Sequence, residues 1–541
     1  MVIRLSLLRS GAQVAFFTLI SRIFGLIREL SIANLFGTSL YADAVNMALR
    51  FPNLFRRSFA EGALTSAFVP IYSSCIVNSK TEASKFANQT LTFLAIIVVS
   101  VTIICEIFMP NIVHICAPGF ASNKNKFELS IILCRITTPY LIFICLSALL
   151  GGVLNSNRCF APFAAIPVVL SIMIVVSCII PVGNNELKAI NIAISIFVAG
   201  IFQLLIMIYY ARKFEKNLFF LQVSDLLPQT RIFLKNFVPE IISSSSTQLN
   251  LFISQSIASF APGAISILSY ADRIYQFPLS IIGICFGSVL LPLLSRLYKE
   301  NKVEEAAILQ EKALKLGLFL SIGAMSGIIF LAEPIIFVIY ERGAFSHLDT
   351  LKTSETLAIF AIGLPAYVIN KILTPVFYSR LDTKTPMKIT LITITINCIL
   401  NGSFVYLGLE HLGIALGTSI AAWCNIIFIW IYFRLYKIDT RNKPIKIFIF
   451  KLVISVLLMF AMLYVLKPFY LEFIYQKNKI LSSVTLFAII LIGGITYICS
   501  ALAIKSASKE EISNLLNRTN TIEVTPVVRA KKVIKTRTQN F

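Results

Sequence analysis

The sequence predicts an all-α polytopic membrane protein of about fourteen transmembrane helices: two six-helix lobes in parallel pseudo-repeat, with two extra helices at the C-terminus. Three observations predict it. The apolar residues come in runs of roughly 20 or more, the length at which a helix crosses a bilayer. Of 541 residues 57% are hydrophobic and only 14% charged, against about 25% charged in a water-soluble domain, and the mean hydropathy is +0.82. A pattern in the second run also recurs in the eighth. Helix is the expected conformation because in lipid each backbone N–H and C=O must be satisfied within the protein. A soluble enzyme, a disordered scaffold and a disulfide-rich secreted module are excluded.

In chain order, the start MVIRLSLLRSG is short and basic, and the first run, 11–35, carries Arg22, Arg28 and Glu29. A cleaved signal would have an unbroken apolar core, so this span is expected to be retained. The second run, 42–75, is interrupted by Asp43, Arg50, Arg56, Arg57 and Glu61. Cleaner runs at 87–113, 127–154, 159–181 and 188–212 complete an N-lobe, 1–220. Runs at 236–260, 264–297, 307–340, 353–380, 385–408 and 412–435 form a C-lobe, 221–440. Those at 445–469 and 480–504 lie in 441–505, outside the repeat. The remainder, 506–541, is a basic cytoplasmic tail, at most resting on anionic lipid headgroups.

The net charge is +22, from 48 Lys and Arg against 26 Asp and Glu. It is concentrated in alternate connections, which hold nineteen basic residues against eight in the others, Lys124 and Lys126 among the eight. Cytoplasmic loops are the ones enriched in Lys and Arg, so both termini are expected inside. No basic domain with interleaved aromatics is present, and nucleic acid is not an expected partner. The eleven cysteines show no C-x-x-C spacing and sit mostly within apolar runs, where they read as small buried hydrophobes. The three histidines are far apart in sequence, and neither a metal nor another cofactor is expected.

The repeat pairs Tyr41-Ala42-Asp43 with Tyr270-Ala271-Asp272, Phe51-Pro52 with Phe277-Pro278, and Val69-Pro70 with Leu291-Pro292. From Asp to the last Pro the second copy is shorter by seven residues, about two helical turns, so both copies can keep one face inward. The second copy is six spans further on, an even step, which gives the halves one orientation and a pseudo-axis along the membrane normal. Pro52, Pro139, Pro278, Pro365 and Pro375 fall within apolar runs, where proline bends a helix.

The charges inside spans are the candidate functional residues. An Arg at mid-helix costs about 2.5–3.5 kcal/mol on insertion scales, so four facing lipid would cost on the order of 10–14. Arg22, Arg28, Arg56 and Arg273, from three helices and both halves, must therefore pair internally, reach an interface or face a wet passage. Arg28–Glu29 and Arg57–Glu61 could be local helix contacts. Arginines outnumber their acidic partners, and an uncompensated guanidinium cluster suits phosphate, whose oxygens match its planar fork. No Walker A motif, G-x-S-x-G, H-E-x-x-H or TVGYG-type filter occurs, which argues against ATP hydrolysis, hydrolase chemistry and a selective channel.

The blocks S-R-I-F-G-L-I-R-E (21–29), A-D-A (42–44) and F-P-N-L-F-R-R-S-F-A-E-G-A-L-T-S-A-F-V-P (51–70) closely resemble the opening of the MviN-like, or MurJ, lipid II flippases. Y-A-D-R-I-Y-Q-F-P (270–278), E-R-G-A-F (341–345) and F-Y-S-R-L-D-T-K-T-P (377–386) are also similar to that family's blocks. The resemblance runs from about residue 8 to 505 and places the chain in the wider multidrug and polysaccharide exporter group. It implies fourteen helices, a lipid-tail groove formed by the last two, and alternating access that carries lipid II across the bacterial inner membrane. The substrate is an undecaprenyl-pyrophosphate-linked peptidoglycan precursor. Membrane lipids and enzymes of cell-wall synthesis would be its other partners. The family's substrate-binding residues fall on Arg22, Arg28, Arg56, Arg273, Asp43 and Glu61. Two departures stand out: Glu29 replaces the Asp often found there, and the sodium site of some members corresponds here to Gln248, Asn250, Asn397 and Asn401, with no carboxylate.

The alternatives are an exporter of another polyprenyl-linked saccharide or of drugs, a membrane enzyme acting on polyprenyl phosphates, and a scaffold. A cation-drug exporter calls for acidic rather than arginine-rich walls. An enzyme calls for clustered acidic or His residues at a membrane face, and a scaffold has no need of buried arginines.

Overall fold

A computed structural model describes residues 2–57, 64–215, 226–435, 445–475 and 478–504. Among them are seventeen α-helices and no strand. The first nine are α1 (Val2–Phe36), α2 (Leu40–Phe55), α3 (Leu64–Asn78), α4 (Lys80–Ile107), α5 (Met109–Cys116), α6 (Lys124–Thr137), α7 (Tyr140–Ser156), α8 (Ala161–Ile179) and α9 (Asn185–Ala211). The rest are α10 (Pro228–Ala258), α11 (Ala264–Lys299), α12 (Val303–Tyr340), α13 (His347–Ser379), α14 (Lys384–Tyr406), α15 (Glu410–Leu435), α16 (Ile445–Ile474) and α17 (Lys479–Ala503). Several starts are capped as their sequences dictate, by side chains that accept otherwise unpaired N–H groups. Asn123, Asn184 and Asn478 cap α6, α9 and α17, and Ser346 with Asp349 forms a capping box on α13.

Length and apolarity alone qualify ten segments to cross a membrane, with α6 and α7 counted as one. The other expected spans correspond to α1, α2 with α3, α10 and α11, helices interrupted by charged or polar residues. One expected single helix is divided. The run 127–154 breaks between Thr137 and Tyr140, at Thr138-Pro139, where the proline cannot donate to the previous turn. The run 42–75 holds α2 and α3, with 58–63 between them outside the described residues. Its repeat partner α11 continues through both Pro278 and Pro292.

Two apolar cores organise the bundle. One draws on buried residues from Ile32 to Leu268, with Ile414 and Ala415 added. The other runs from Tyr270 to Ala501 and includes Ala33. The first core takes in the start of α11 and the described core residues of α10. The first turns of α10 dock on α3 and α4: Thr230 Oγ1 donates to Gln89 Oε1 (2.8 Å), and Phe233 packs edge-on against Phe68 and Phe86. Its far half bonds to α14, through Asn397 Nδ2 to Asn250 Oδ1 (2.9 Å) and Asn401 Nδ2 to Ser254 Oγ (3.2 Å). The pair α16–α17 leans on α12, where Tyr497 stacks on Phe319 and donates to its carbonyl at 2.9 Å. A methyl on Gly323 would lie 2.6 Å from the Tyr497 ring, so the small residue is what permits this approach. The far faces of the pair expose Phe450, Leu457, Tyr464, Val465, Phe487 and Ile495.

Candidate functional site

α11 is the axis of the site. It runs parallel to α2 in a constant register, with contacts repeating one turn apart along both helices. Asp43 meets Gly263, Asn46 donates to Ser266 (3.3 Å), and Arg50 Nη2 donates to Ser269 Oγ (2.5 Å). Against α1 it runs antiparallel. Arg22 Nη1 donates to Ser280 Oγ, and two turns along both helices Arg273 Nη2 donates to Glu29 Oε1 at 2.8 Å. Residues seven apart share a helix face, so Arg22 and Glu29 both reach α11.

At the centre of this seam Arg28 and Arg273 share one carboxylate. Arg28 Nη2 also donates to Glu29 Oε1 at 2.8 Å. The Glu29 side chain is 8% exposed, Arg28 14% and Arg273 32%. Arg50 lies within electrostatic reach of Glu29, Arg273, Asp272 and Arg57, and Asp272 accepts from Gln276. Arg56 Nε donates to Asn53 Oδ1 at 3.0 Å and, like Arg28, stands within electrostatic reach of the Tyr140 hydroxyl. Lys371 of α13 rests over Gly283 of α11, where a Cβ would meet its Nζ at 2.7 Å. Two arginines to one carboxylate leave positive charge over, and the neighbouring Arg22 and Arg50 bond to neutral serine hydroxyls.

Asp43 is engaged differently. It is fully buried at one end of the bundle, where Oδ2 accepts from Lys126 Nζ (2.7 Å) and Gly263 N (3.0 Å). Its Oδ1 accepts from Ser266 N (2.9 Å) and Ser266 Oγ (2.7 Å). Lys126 also lies 4.0 Å over the Phe120 ring. This lysine is therefore a buried ion-pair partner, not the loop charge it was expected to be. Its long alkyl stem lets it bury while its head finds an anion. The same end is closed by backbone contacts. Ala344 N donates to Asn34 O (2.9 Å), Thr38 Oγ1 donates to Asp349, and Ser259 Oγ accepts from Gly119 N (2.9 Å). Gly343, at φ +57°, is packed so closely that a Cβ would strike the Asn34 oxygens.

Of the expected residues, Arg28 and Arg273 are brought together and Arg22 lies on the same helix pair. Arg56 sits at the end of α2, and Asp43 belongs to the closed end. Glu61 lies outside the described residues. Ser266, Ser269, Ser280 and Lys126 were not singled out, although serines on one side of an otherwise apolar helix were a legible sign of polar partners. Among the described residues no group of three or more His, Cys, Asp or Glu could hold a metal. The positions corresponding to a sodium site form instead an amide ladder. Asn397 and Asn401 spend their N–H groups on Asn250 and Ser254, and each leaves a buried oxygen unpartnered. Neutral amides without a carboxylate do not suit a hard cation.

A profile described as "Lipid II flippase MurJ" matches residues 32–498. The chain is 45% identical over 502 residues to a "Probable lipid II flippase MurJ" of Rickettsia prowazekii (strain Madrid E), covering 93% of this chain and 98% of that one. It is 38% identical over 437 residues to the like-named protein of Rhizobium tropici, covering 80% and 82%. Among solved structures it matches "Lipid II flippase MurJ, inward closed conformation" at TM-score 0.74 and 28% identity, covering 94% of this chain and 99% of that one. A multidrug resistance MATE family transporter in an inward-facing conformation matches at TM-score 0.62 and 16% identity, covering 78% and 96%, which is a likeness of fold alone.

Proposed function

We propose, from the premise that this chain belongs to the lipid II flippase MurJ family, that it carries lipid II across the bacterial inner membrane with the arginines of the α1–α2–α11 seam gripping the diphosphate. It is a multi-pass membrane protein and a transporter; no bond of the substrate is made or broken. The observation that carries the arginine reading is the shared carboxylate: guanidinium groups from α1 and α11 converge on Glu29 with positive charge left over.

A diphosphate offers oxygens on two phosphorus atoms, and guanidinium forks bind such oxygens in pairs. Because Arg28 stands on α1 and Arg273 on α11, an anion held by both draws the two lobes onto itself. Arg22, Arg50 and Arg56 extend the positive lining along α1 and α2. The isoprenoid chain stays in lipid, and the apolar outer faces of α16 and α17 supply its groove. The excess of Lys and Arg in alternate connections puts both termini and the tail in the cytoplasm, which makes the Asp43 end periplasmic. Alternating access then consists of opening that end and closing the other. The membrane potential supplies about 2.3 kcal/mol per charge per 100 mV to such a cycle. Enzymes of cell-wall synthesis are the expected protein partners.

The test is depletion of the chain in its host. Lipid II accumulates on the inner leaflet if the reading is right, and rescue by the wild-type chain but not by Arg28→Ala assigns the site. Undiminished translocation after depletion overturns it.

A further inference from the structure

The bonding of Glu29 is incomplete in a particular way. One carboxylate oxygen, Oε1, takes both guanidinium groups at 2.8 Å. The other, Oε2, is shut off from solvent with no hydrogen-bond partner, and so is Nε of Arg28. An Arg–carboxylate pair built for stability uses the fork, two N–H groups on two oxygens. Here one arm of the Arg28 fork and one oxygen of the acid stay unused, and each buried unmade bond is costly. An anion with more oxygens than a carboxylate would satisfy both arginines where Glu29 cannot.

We infer that Glu29 is a specificity-determining residue: its carboxylate occupies Arg28 and Arg273 in the absence of substrate and admits a diphosphate while turning away single phosphodiesters. The inference rests on the proposal that these arginines hold the diphosphate of lipid II. The surrounding membrane presents the site with a large excess of phospholipid headgroups of the same chemical family. A phosphodiester carries one negative charge and two non-ester oxygens, no more than the carboxylate it must displace. The exchange therefore gains little, and it strands an acid in the seam. A diphosphate diester carries two charges and four non-ester oxygens, enough to take both forks at once, Nε of Arg28 included. Glu29 thus sets a threshold that only the doubly charged headgroup passes. Its placement one residue from Arg28 on α1, and across the seam from Arg273, lets a single side chain guard both.

The test is competition between lipid II and phosphatidylglycerol for the purified full-length protein, with the bound-lipid ratio read by native mass spectrometry. Wild type retains lipid II. Glu29→Gln removes the competing charge and leaves the forks open, so the ratio falls by about tenfold, the order of one charge-assisted contact, through gained phosphatidylglycerol. Glu29→Asp keeps the charge and returns the ratio toward wild type. A Gln variant that still binds lipid II at the wild-type ratio overturns the threshold and leaves the flippase reading standing. Wild type with no preference for lipid II overturns both. If the Gln variant does not fold, the Asp variant decides: a wild-type ratio is the expected result, and a tenfold fall there shows that length rather than charge sets the ratio and overturns the inference.

Discussion

Asp43 and Glu29 are both buried acids on the first two helices, and both bind across to α11, yet their surroundings are opposite. Asp43 has both oxygens filled by four donors between 2.7 and 3.0 Å, a lysine among them. Glu29 has two arginines on one oxygen and nothing on the other. A buried charge that is paired and fully hydrogen-bonded is part of the scaffold. A buried site with cations in excess and bonds unmade is stable only as a compromise, and it gains when the missing anion arrives. The repeat sharpens the contrast, since Asp272, the counterpart of Asp43 in the second copy, meets Gln276 and faces Arg50 rather than capping a helix.

The contrast can be broken by mutation. The largest effect is expected at the under-satisfied end. Arg28→Ala and Arg56→Ala each abolish flipping, read as failure to rescue a depletion strain, while membrane insertion and thermal unfolding stay near wild type. Growth at the wild-type rate with either variant would remove these residues from the site. At the saturated end the order is reversed. Asp43→Ala leaves Lys126 buried without its anion, which costs about 3–5 kcal/mol, and the loss is read as earlier unfolding in detergent. A variant as stable as wild type would show that Lys126 finds another partner. A smaller change is expected from Gly343→Val. The residue holds φ +57° against Asn34, a conformation costing of order 1–3 kcal/mol for such a side chain. The variant loosens the Asp43 end, read as faster thiol labelling of a cysteine introduced at Thr38.

A half-buried acid supplies the smallest effect and the control. Asp382, in the connection between α13 and α14, accepts from Thr385 N at 3.0 Å and from the Tyr432 hydroxyl at 3.3 Å. Hydrogen bonding from Thr385 holds its carboxyl below the usual range. A depressed acid contributes stability above its unfolded pKa of about 4 and loses it as pH falls through the folded value. Asp382→Asn therefore lowers the neutral plateau slightly, leaves stability below the folded value unchanged, and so flattens the acid limb between them. An unchanged acid limb would count against that bond.

Much of this molecule was legible in its sequence. The apolar runs located the membrane segments, the repeat gave α2 and α11 one orientation, and the in-span arginines pointed to the seam. What escaped was pairing. Lys126 looks like a loop charge because it stands two residues into α6, beside the equally basic Lys124. Its anion is 83 residues away, and nothing in its own segment announces it. The break at Thr138-Pro139 was flagged as a kink but not as the end of a helix, since a proline's effect depends on whether neighbours can take up the freed carbonyl.

The chain by itself determined which segments are apolar enough for lipid, which of its charges could not be left there, and which halves repeat. Those are properties of composition along a few turns of helix, and transfer from water to hydrocarbon acts on each turn separately. The fold alone decided that Glu29 serves two arginines, one of them 244 positions distant, that Asp43 is spent on closing one end, and that α10 bonds to both α4 and α14. Those outcomes turn on distances of about 3 Å between side chains on different helices, and only the packed bundle brings such side chains within reach.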